Sequence, residues 1–219
     1  MEYNIDKSEV RRYLGIPKET DEVTERLIDE CIKELTAAMR PKFVRRTFAI
    51  TKDNSCIYLD ECNMTLTGDT AGKRLSGCTS CALLGATLGI EADNLIRIAQ
   101  SSNMAKAVIF DACATDLIEK VCDRAQSELA EEAAKKGLLI TERFSPGYGD
   151  LPLELQKDIC SVLDLGRKIG VYLTNELLLL PTKSVTAFIG IGSAAEKGKK
   201  GCASCTMKGS CRFCNRKNS

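Results

Sequence analysis

The chain has 219 residues, of which 44% are hydrophobic, and its 31 basic residues nearly balance 30 acidic ones. This is the composition of a globular protein, and the net charge of +1 provides no strong field to attract nucleic acid or a membrane surface. The complete absence of histidine excludes Ser/His and Cys/His nucleophilic sites and every zinc site that needs an imidazole ligand. The first residues do not resemble a signal peptide, and the apolar run 177–181 is too short to span a bilayer. We therefore expect a cytoplasmic protein.

The N-terminal residues predict two helices. Ser8 is a plausible N-cap for a short helix that ends before Pro17, and Asp21 begins a longer helix that Arg40-Pro41 ends. The spacing of the apolar residues of the second helix places them on one face. They are Val23, Leu27, Ile28, Cys31, Ile32, Leu35, Ala38 and Met39.

The next segment predicts strands. From Lys42 to Leu59, β-branched and aromatic residues indicate two strands joined at an Asp53-Asn54 turn, and residues 64–67 indicate another. Residues 77–89 are small and apolar, which favours a buried strand that ends at Thr87-Leu-Gly89.

The longest helix is predicted over residues 103–136, with Gly137 as its C-cap. Its core face consists of Phe110, Ala114, Leu117, Val121, Ala125 and Leu129. Residues 138–141, 171–174 and 184–191 predict strands, and residues 153–165 predict a helix. The pattern indicates an α+β domain over residues 1–191, with one mixed or antiparallel sheet flanked by helices, followed by a Cys-rich tail over residues 192–219.

One predicted loop combines residues that suit ligand binding: Arg143-Phe-Ser-Pro-Gly147-Tyr148-Gly-Asp-Leu-Pro152. The glycines permit positive φ and a close approach of the backbone to a ligand, and the prolines stiffen the loop. Arg143 can bind a carboxylate in a bidentate manner, and Tyr148 offers a flat ring and a hydroxyl group. From these residues alone, a stiff surface turn with a structural arginine is the simpler interpretation.

The pattern Arg-x-x-x-Gly-Tyr-x-x-x-Pro at 143–152 resembles the motif of the activation domain of cobalamin-dependent methionine synthase, which binds S-adenosylmethionine. Further segments resemble landmarks of that family in the same order. They are Thr87-Leu-Gly89 with Glu91 and Asp93, Asp111 with Glu119, Leu173-Thr174-x-Glu176, and residues 180–186. The resemblance extends over roughly residues 20–191.

This resemblance implies roles for individual residues. Arg143 would face the carboxylate of the methionine moiety, and the loop from Gly147 and Tyr148 to Pro152 would hold the nucleoside end. Glu119 would lie near the ammonium group of the ligand, although a solvated helix face would also explain it. The family has an aromatic residue in its last strand that helps to enclose the ligand, so either Phe188 takes that role here or the pocket is looser.

The resemblance also implies a reaction, the reductive methylation of cob(II)alamin with S-adenosylmethionine as the methyl donor. The chain has no histidine to ligate cobalt, so cobalamin is expected to arrive on a partner, a cobalamin-binding methyltransferase protein. An electron donor protein is a further candidate partner. Two alternatives remain: a non-catalytic S-adenosylmethionine sensor or corrinoid-protein adaptor, and an iron–sulfur electron donor to a corrinoid protein.

The tail contains four of the twelve cysteines as two paired units, Cys202-x2-Cys205 and Cys211-x2-Cys214. Such pairs bind metal well, because each short loop brings two sulfurs to one ion. Zinc, an iron–sulfur cluster and unmetallated thiols are all compatible with the spacing. The spacing Cys78-x2-Cys81 is a weaker signal, since positions i and i+3 of a strand point to opposite faces, and buried thiols are the better interpretation there. Four other cysteines lie on apolar helix faces and are expected in the core: Cys31, Cys113, Cys122 and Cys160.

Overall fold

The computed structural model describes residues 3–17, 20–53 and 56–195. The helices in these ranges are α1 (Lys7–Leu14), α2 (Glu22–Ala38), α3 (Asp69–Arg74), α4 (Ile90–Ser102), α5 (Met104–Ala134), α6 (Leu155–Leu163) and α7 (Leu165–Ile169). The strands are β1 (Lys42–Asp53), β2 (Cys56–Leu59), β3 (Met64–Thr67), β4 (Ser80–Thr87), β5 (Leu139–Ile140), β6 (Tyr172–Leu173), β7 (Leu179–Leu180) and β8 (Ser184–Gly192).

The strands form one large antiparallel sheet and one small hairpin. The large sheet has the order β3-β2-β1-β4-β8-β5, and β6 pairs with β7 separately. The register of β4 against β8 runs from Ser80↔Ile191 to Thr87↔Ser184. Every pairing in the large sheet is antiparallel, which confirms the predicted α+β class and decides between the mixed and antiparallel alternatives.

Both faces of the central strands are covered by helices, so the domain has two hydrophobic cores. Along β4, Ala82 and Leu84 belong to the core under α1, α2, α4 and α5, whereas Cys81 and Leu83 belong to the core under α3, α6 and α7. This alternation follows from the two-residue period of a strand. Because both faces are buried, the interior of β4 from Cys81 to Ala86 lacks the alternating polar residues that mark a half-exposed strand.

The long helix α5 supports the first core. Asn103 is its N-cap, since the Asn103 side chain accepts a hydrogen bond from the Lys106 backbone N–H. All six residues of its predicted core face are buried, as the 3.6-residue spacing requires. The helix packs against α1, α2 and α4 and against the central strands, and therefore provides a rigid platform beside the sheet.

Several predicted local features were wrong in detail. The N-cap of α1 is Asp6, whose carboxylate accepts from the Ser8 N–H, so Ser8 lies inside the helix. Val23 is 75% exposed, because it lies in the first turn of α2 before that helix reaches the core. The predicted helix 153–165 is broken at Asp164, which has a positive φ of 53° and separates α6 from α7.

The two cysteines of the Cys78-x2-Cys81 spacing lie in the second core. Cys78 precedes β4 rather than lying within it, so the argument from opposite strand faces does not apply to it. Both Cys78 and Cys81 are buried in the same core, and burial raises the pKa of the Cys81 thiol to about 12. The interpretation preferred from the sequence, that these two cysteines are buried thiols, is therefore confirmed. Of the four helix cysteines expected in the core, Cys160 is only partly buried.

The domain continues slightly past the predicted boundary at 191. Strand β8 ends at Gly192, and Ala195 is buried in the second core. The tail cysteines Cys202, Cys205, Cys211 and Cys214 lie outside the described residues, so their metal binding stays a prediction. Within residues 3–17, 20–53 and 56–195 there is no cluster of three potential metal ligands, and no helix is both long and apolar enough to cross a membrane.

Candidate functional site

A β-bulge places Arg143 beside the long helix. Thr141 N–H donates to the Gly190 carbonyl at 2.9 Å, and Phe144 exchanges two backbone hydrogen bonds with Phe188 at 3.0 and 2.8 Å. Thr141 is therefore opposite Gly190 and Phe144 is opposite Phe188, so two residues (142 and 143) lie opposite one residue of β8 (189). The extra residue is a bulge, which redirects side chains at sheet edges. Thr141 and Phe144 face the second core, and the side chain of Arg143 is turned towards α5.

The Arg143 guanidinium contacts three side chains of α5. Its Nη1 donates to Oδ1 of Asp123 at 2.6 Å and to Oε1 of Gln126 at 3.0 Å. Its Nη2 donates to Oε2 of Glu119 at 2.5 Å. The positions 119, 123 and 126 lie on one face of a helix, because their spacings of four and three residues follow the helical repeat. One cation is therefore held by two carboxylates and one amide.

Burial and charge fix the ionisation of Arg143. The Arg143 side chain is 18% exposed, while Glu119 and Asp123 are 49% and 54% exposed. Burial by itself lowers the pKa of Arg143, but the hydrogen bond to Asp123 and the attraction of Glu119 outweigh it and raise that pKa. Arg143 is therefore a permanent cation, and the cluster carries one positive and two negative formal charges.

Gln126 connects the cluster to the strand. Its amide oxygen accepts from Arg143, and its Nε2 donates to Oε2 of Glu142 at 3.3 Å. The residue is 7% exposed, so its amide has little freedom to rotate. Gln126 thus links the two bulge residues and fixes the orientation of the guanidinium plane.

The loop after Arg143 is folded by its own backbone. Gly147 N–H donates to the Leu151 carbonyl at 3.0 Å, and Tyr148 N–H donates to the Ser145 carbonyl at 3.1 Å. Gly147 has a φ of +82°, as the sequence predicted for a glycine in this loop. Pro146 is buried, whereas Pro152 is exposed at the end of the loop before α6. The loop is therefore a compact turn and not an extended strap.

The same loop is fastened to α3. Asp150 accepts hydrogen bonds from the Asp69 N–H at 2.6 Å and from the Thr70 N–H at 3.0 Å. It supplies the capping carboxylate that Gly68, the residue before α3, cannot provide. The Arg74 guanidinium lies over the Tyr148 ring, 5.8 Å from its centroid. The hydrogen bonds from the Thr70 side chain and backbone lower the pKa of Asp150.

The predicted site residues therefore fall into two groups in the fold. Arg143 and Glu119 are in direct contact, although 24 residues separate them. Gly147, Tyr148 and Pro152 follow Arg143 in the turn beside α3. Asp123 and Gln126 were not predicted from the sequence, where their one signal is their spacing from Glu119 on the same helix face.

Phe188 does not take the place of the aromatic residue that the resemblance implies. It is fully buried and stacks on Phe144 with ring centroids 5.5 Å apart. Both rings lie in the second core, on the sheet face opposite the Arg143 cluster. Of the two alternatives for Phe188, the more open pocket is therefore the one compatible with this geometry.

A surface groove lies elsewhere on the domain. It has a volume of about 620 Å³ and runs between the N-terminal segment and α2, where Tyr3, Ile5, Ile32, Lys33 and Thr36 line it. None of its lining residues belongs to the predicted site. The Arg143 cluster brings a cation and carboxylates together, whereas the charged residue in the lining of this groove is Lys33.

The fold, an antiparallel sheet with α5 on one face and the Arg143 turn at its edge, is similar to that of a reactivation domain of known structure. One similar solved structure is a crystal structure of the MetH reactivation domain bound to AdoHcy, with a TM-score of 0.68. The similarity covers 90% of this chain and 76% of that chain at 18% sequence identity. No protein-family model and no curated protein matches the chain. The predicted resemblance in fold is confirmed.

Proposed function

We propose that this chain binds S-adenosylmethionine and serves as a reactivation component for a cobalamin-dependent methionine synthase. The observation that carries the proposal is the contact between Arg143 and Glu119 on a fold similar to the MetH reactivation domain. An arginine and a carboxylate side by side complement the carboxylate and ammonium of an α-amino acid. That structural neighbour was crystallised with AdoHcy, whose amino-acid moiety has the same two groups.

The proposed binding arrangement uses both parts of the site. The ligand carboxylate binds Arg143, and the ligand ammonium binds Glu119. The nucleoside end lies along the turn from Gly147 and Tyr148 to Pro152. The backbone hydrogen bonds of this turn support the proposal, because a preorganised loop loses little entropy when a ligand binds.

Cobalamin enters this proposal on a partner, a cobalamin-binding methyltransferase protein. The partner's cobalamin would supply the methyl acceptor, with one electron from a reductant or an electron donor protein and S-adenosylhomocysteine as the leaving product. The residues of this chain contribute position: Arg143 and Glu119 fix the amino-acid end, so the sulfonium methyl group points at a defined place. No acid–base group is required, which suits a chain without histidine.

Calorimetry with S-adenosylmethionine tests the binding step. The variant Arg143→Ala should weaken binding by at least 30-fold, corresponding to about 2 kcal/mol for a lost charged hydrogen bond. The matched control is Arg167→Ala, because Arg167 is 80% exposed and pairs with Asp164 of the α6–α7 junction. No binding by the wild-type chain would refute the proposal.

A second assay tests the reactivation step. The chain is mixed with a cobalamin-bound methionine synthase that lacks its own reactivation domain, a chemical reductant and S-adenosylmethionine carrying a labelled methyl group. Transfer of the label to the partner's cobalamin supports the proposal. Ligand binding without any transfer would favour the sensor or adaptor alternative.

The four tail cysteines, Cys202, Cys205, Cys211 and Cys214, are proposed to bind one zinc ion or one iron–sulfur cluster. The support is their sequence spacing alone. Metal analysis and the visible absorption spectrum of the anaerobically purified chain distinguish zinc from iron–sulfur. A metal-free protein with four titratable tail thiols would refute the proposal.

A further inference from the structure

The turn at residues 147–152 and the short helix α3 fit together closely. The Asp150 carboxylate accepts hydrogen bonds from the first two N–H groups of α3 at 2.6 and 3.0 Å. A Cβ on Gly149 would clash with Oγ1 of Thr70, and a Cβ on Gly68 would clash with the Asp150 carboxylate. The absence of both Cβ atoms lets the two segments approach this closely, so α3 has a fixed position relative to the turn.

The last residue of α3, Arg74, contacts the turn a second time. Its guanidinium lies over the Tyr148 ring, 5.8 Å from the ring centroid. A cation within about 6 Å is attracted by the electron-rich face of an aromatic ring. Arg74 is half-buried and forms no ion pair within the part of the chain that the structure describes, whereas its neighbour Lys73 pairs with Asp69. The ring and the guanidinium therefore hold each other in place.

We infer that Arg74 is a positioning residue for the nucleoside end of the ligand, because it holds the Tyr148 ring as a flat platform on which adenine stacks. This inference rests on the proposed function, which places the nucleoside along the turn from Gly147 and Tyr148 to Pro152. Stacking favours a ring whose plane is already fixed, since ordering a free side chain on binding weakens the complex. Arg74 fixes the plane before the ligand arrives and acts through Tyr148.

The two ends of the ligand are then positioned by different helices. Gln126 of α5 holds the Arg143 guanidinium for the amino-acid end, and Arg74 of α3 holds the Tyr148 ring for the nucleoside end. The sulfonium lies between these two ends, so its methyl group has a defined place only when both are fixed. A change in α3 should therefore affect binding of the nucleoside fragment by itself.

Calorimetry with 5′-methylthioadenosine isolates this end, because the molecule carries the nucleoside without the amino acid and has no net charge. The variant Arg74→Ala should weaken its binding about two- to fivefold, which is the effect of ordering one freed side chain on binding. S-adenosylmethionine should lose affinity by the same factor, since it shares the nucleoside. Arg74→Lys keeps a cation over the ring and should recover most of the loss.

The matched control is Lys73→Ala. Lys73 is the adjacent cation on the same helix, is 80% exposed and pairs with Asp69 instead of contacting Tyr148. This variant should bind 5′-methylthioadenosine as the wild-type chain does. The comparison separates the ring contact of Arg74 from the loss of a positive charge on α3.

A double-mutant cycle tests whether Arg74 acts through Tyr148. Tyr148→Leu removes the platform, so adding Arg74→Ala to it should cause no further loss of affinity. Tyrosine fluorescence provides a second readout, because the chain has five tyrosines and no tryptophan. Stacked adenine should quench part of this emission, and Tyr148→Phe should abolish that part of the quenching while the ligand still binds.

Three results would overturn the inference and leave the proposed function intact. They are additive losses in the double-mutant cycle, full affinity for 5′-methylthioadenosine in Arg74→Ala, and an equal loss in Lys73→Ala. Failure of the wild-type chain to bind either 5′-methylthioadenosine or S-adenosylmethionine would instead overturn the proposed function.

Discussion

Gln126 and Arg143 meet through an amide oxygen and Nη1 at 3.0 Å, which joins the middle of α5 to the bulge after β5. The contact links two segments that are 17 residues apart in sequence, and Gln126 is almost completely buried. A buried amide with two partners holds its orientation, because rotation would break both hydrogen bonds at a position with little access to solvent. The orientation of the Arg143 guanidinium therefore depends on a residue that touches no proposed ligand atom.

This dependence predicts a selective effect of Gln126→Leu. The guanidinium loses one fixed contact, so binding of S-adenosylmethionine should weaken about fivefold, equivalent to about 1 kcal/mol. Binding of 5′-methylthioadenosine, which lacks the amino-acid carboxylate, should not change. Calorimetry with both ligands checks the prediction. A parallel loss for both ligands would indicate general structural damage rather than misplacement of Arg143.

The signature turn should depend on the backbone conformation of Gly147. Its φ is +82°, and an added Cβ would lie 3.2 Å from Cδ1 of Leu153. The variant Gly147→Ala should lower the free energy of unfolding by about 1–2 kcal/mol. Gly137→Ala is the matched control, since Gly137 has a φ of +70° with no atom within 4 Å of the added Cβ. Urea unfolding should show the smaller loss for Gly137→Ala, and the reverse order would contradict the packing argument.

The link between the turn and α3 should depend on pH. Hydrogen bonds lower the pKa of Asp150 from its ordinary value of 3.8, so its contribution to stability is complete above that value. The contribution is lost as the pH falls through the lower pKa of the folded state. Thermal unfolding from pH 5 to pH 2 should therefore show a steeper loss of stability for the wild-type chain than for Asp150→Asn.

Asp150→Ala provides the comparison for this experiment. Asparagine keeps one oxygen that can accept a backbone N–H of α3, whereas alanine removes the cap at every pH. The alanine variant should thus be less stable than the asparagine variant at pH 7. Identical pH profiles for the wild-type chain and Asp150→Asn would show that the cap does not depend on the carboxylate charge.

The end of the sheet provides a test of where the domain stops. A Cβ on Gly192 would lie 2.2 Å from the Gly77 carbonyl oxygen and 2.6 Å from the Cα of Cys78, both backbone atoms. Gly192→Ala should therefore destabilise the domain by about 2 kcal/mol or more, because backbone cannot move aside cheaply. Gly72→Ala in α3 meets no atom within 4 Å and should leave stability almost unchanged. If Gly192→Ala were neutral in urea unfolding, position 192 would belong to the tail, as the sequence boundary predicted.

Much of the architecture follows from local patterns. The long helix and the strand at residues 64–67 appear where their apolar spacing predicted them, and β1 and β2 pair as the two strands predicted between Lys42 and Leu59. The break at Asp164 was missed, because a single residue with positive φ does not disturb the apolar repeat on either side of it. The exact N-cap of α1 was also missed, since Asp6 and Ser8 are both good capping residues.

The candidate site also has features that local sequence patterns predict and features that they do not. The amino-acid sequence predicts a stiff turn from Arg143 to Pro152 that is rich in glycine and proline, a chain without imidazole, and a helical position for Glu119. The folded domain adds that a bulge turns Arg143 towards α5 and that Asp123 and Gln126 complete its surroundings. The physical reason is that a turn depends on neighbouring residues, whereas this charge cluster depends on how one edge of a sheet packs against a helix, which no local pattern encodes.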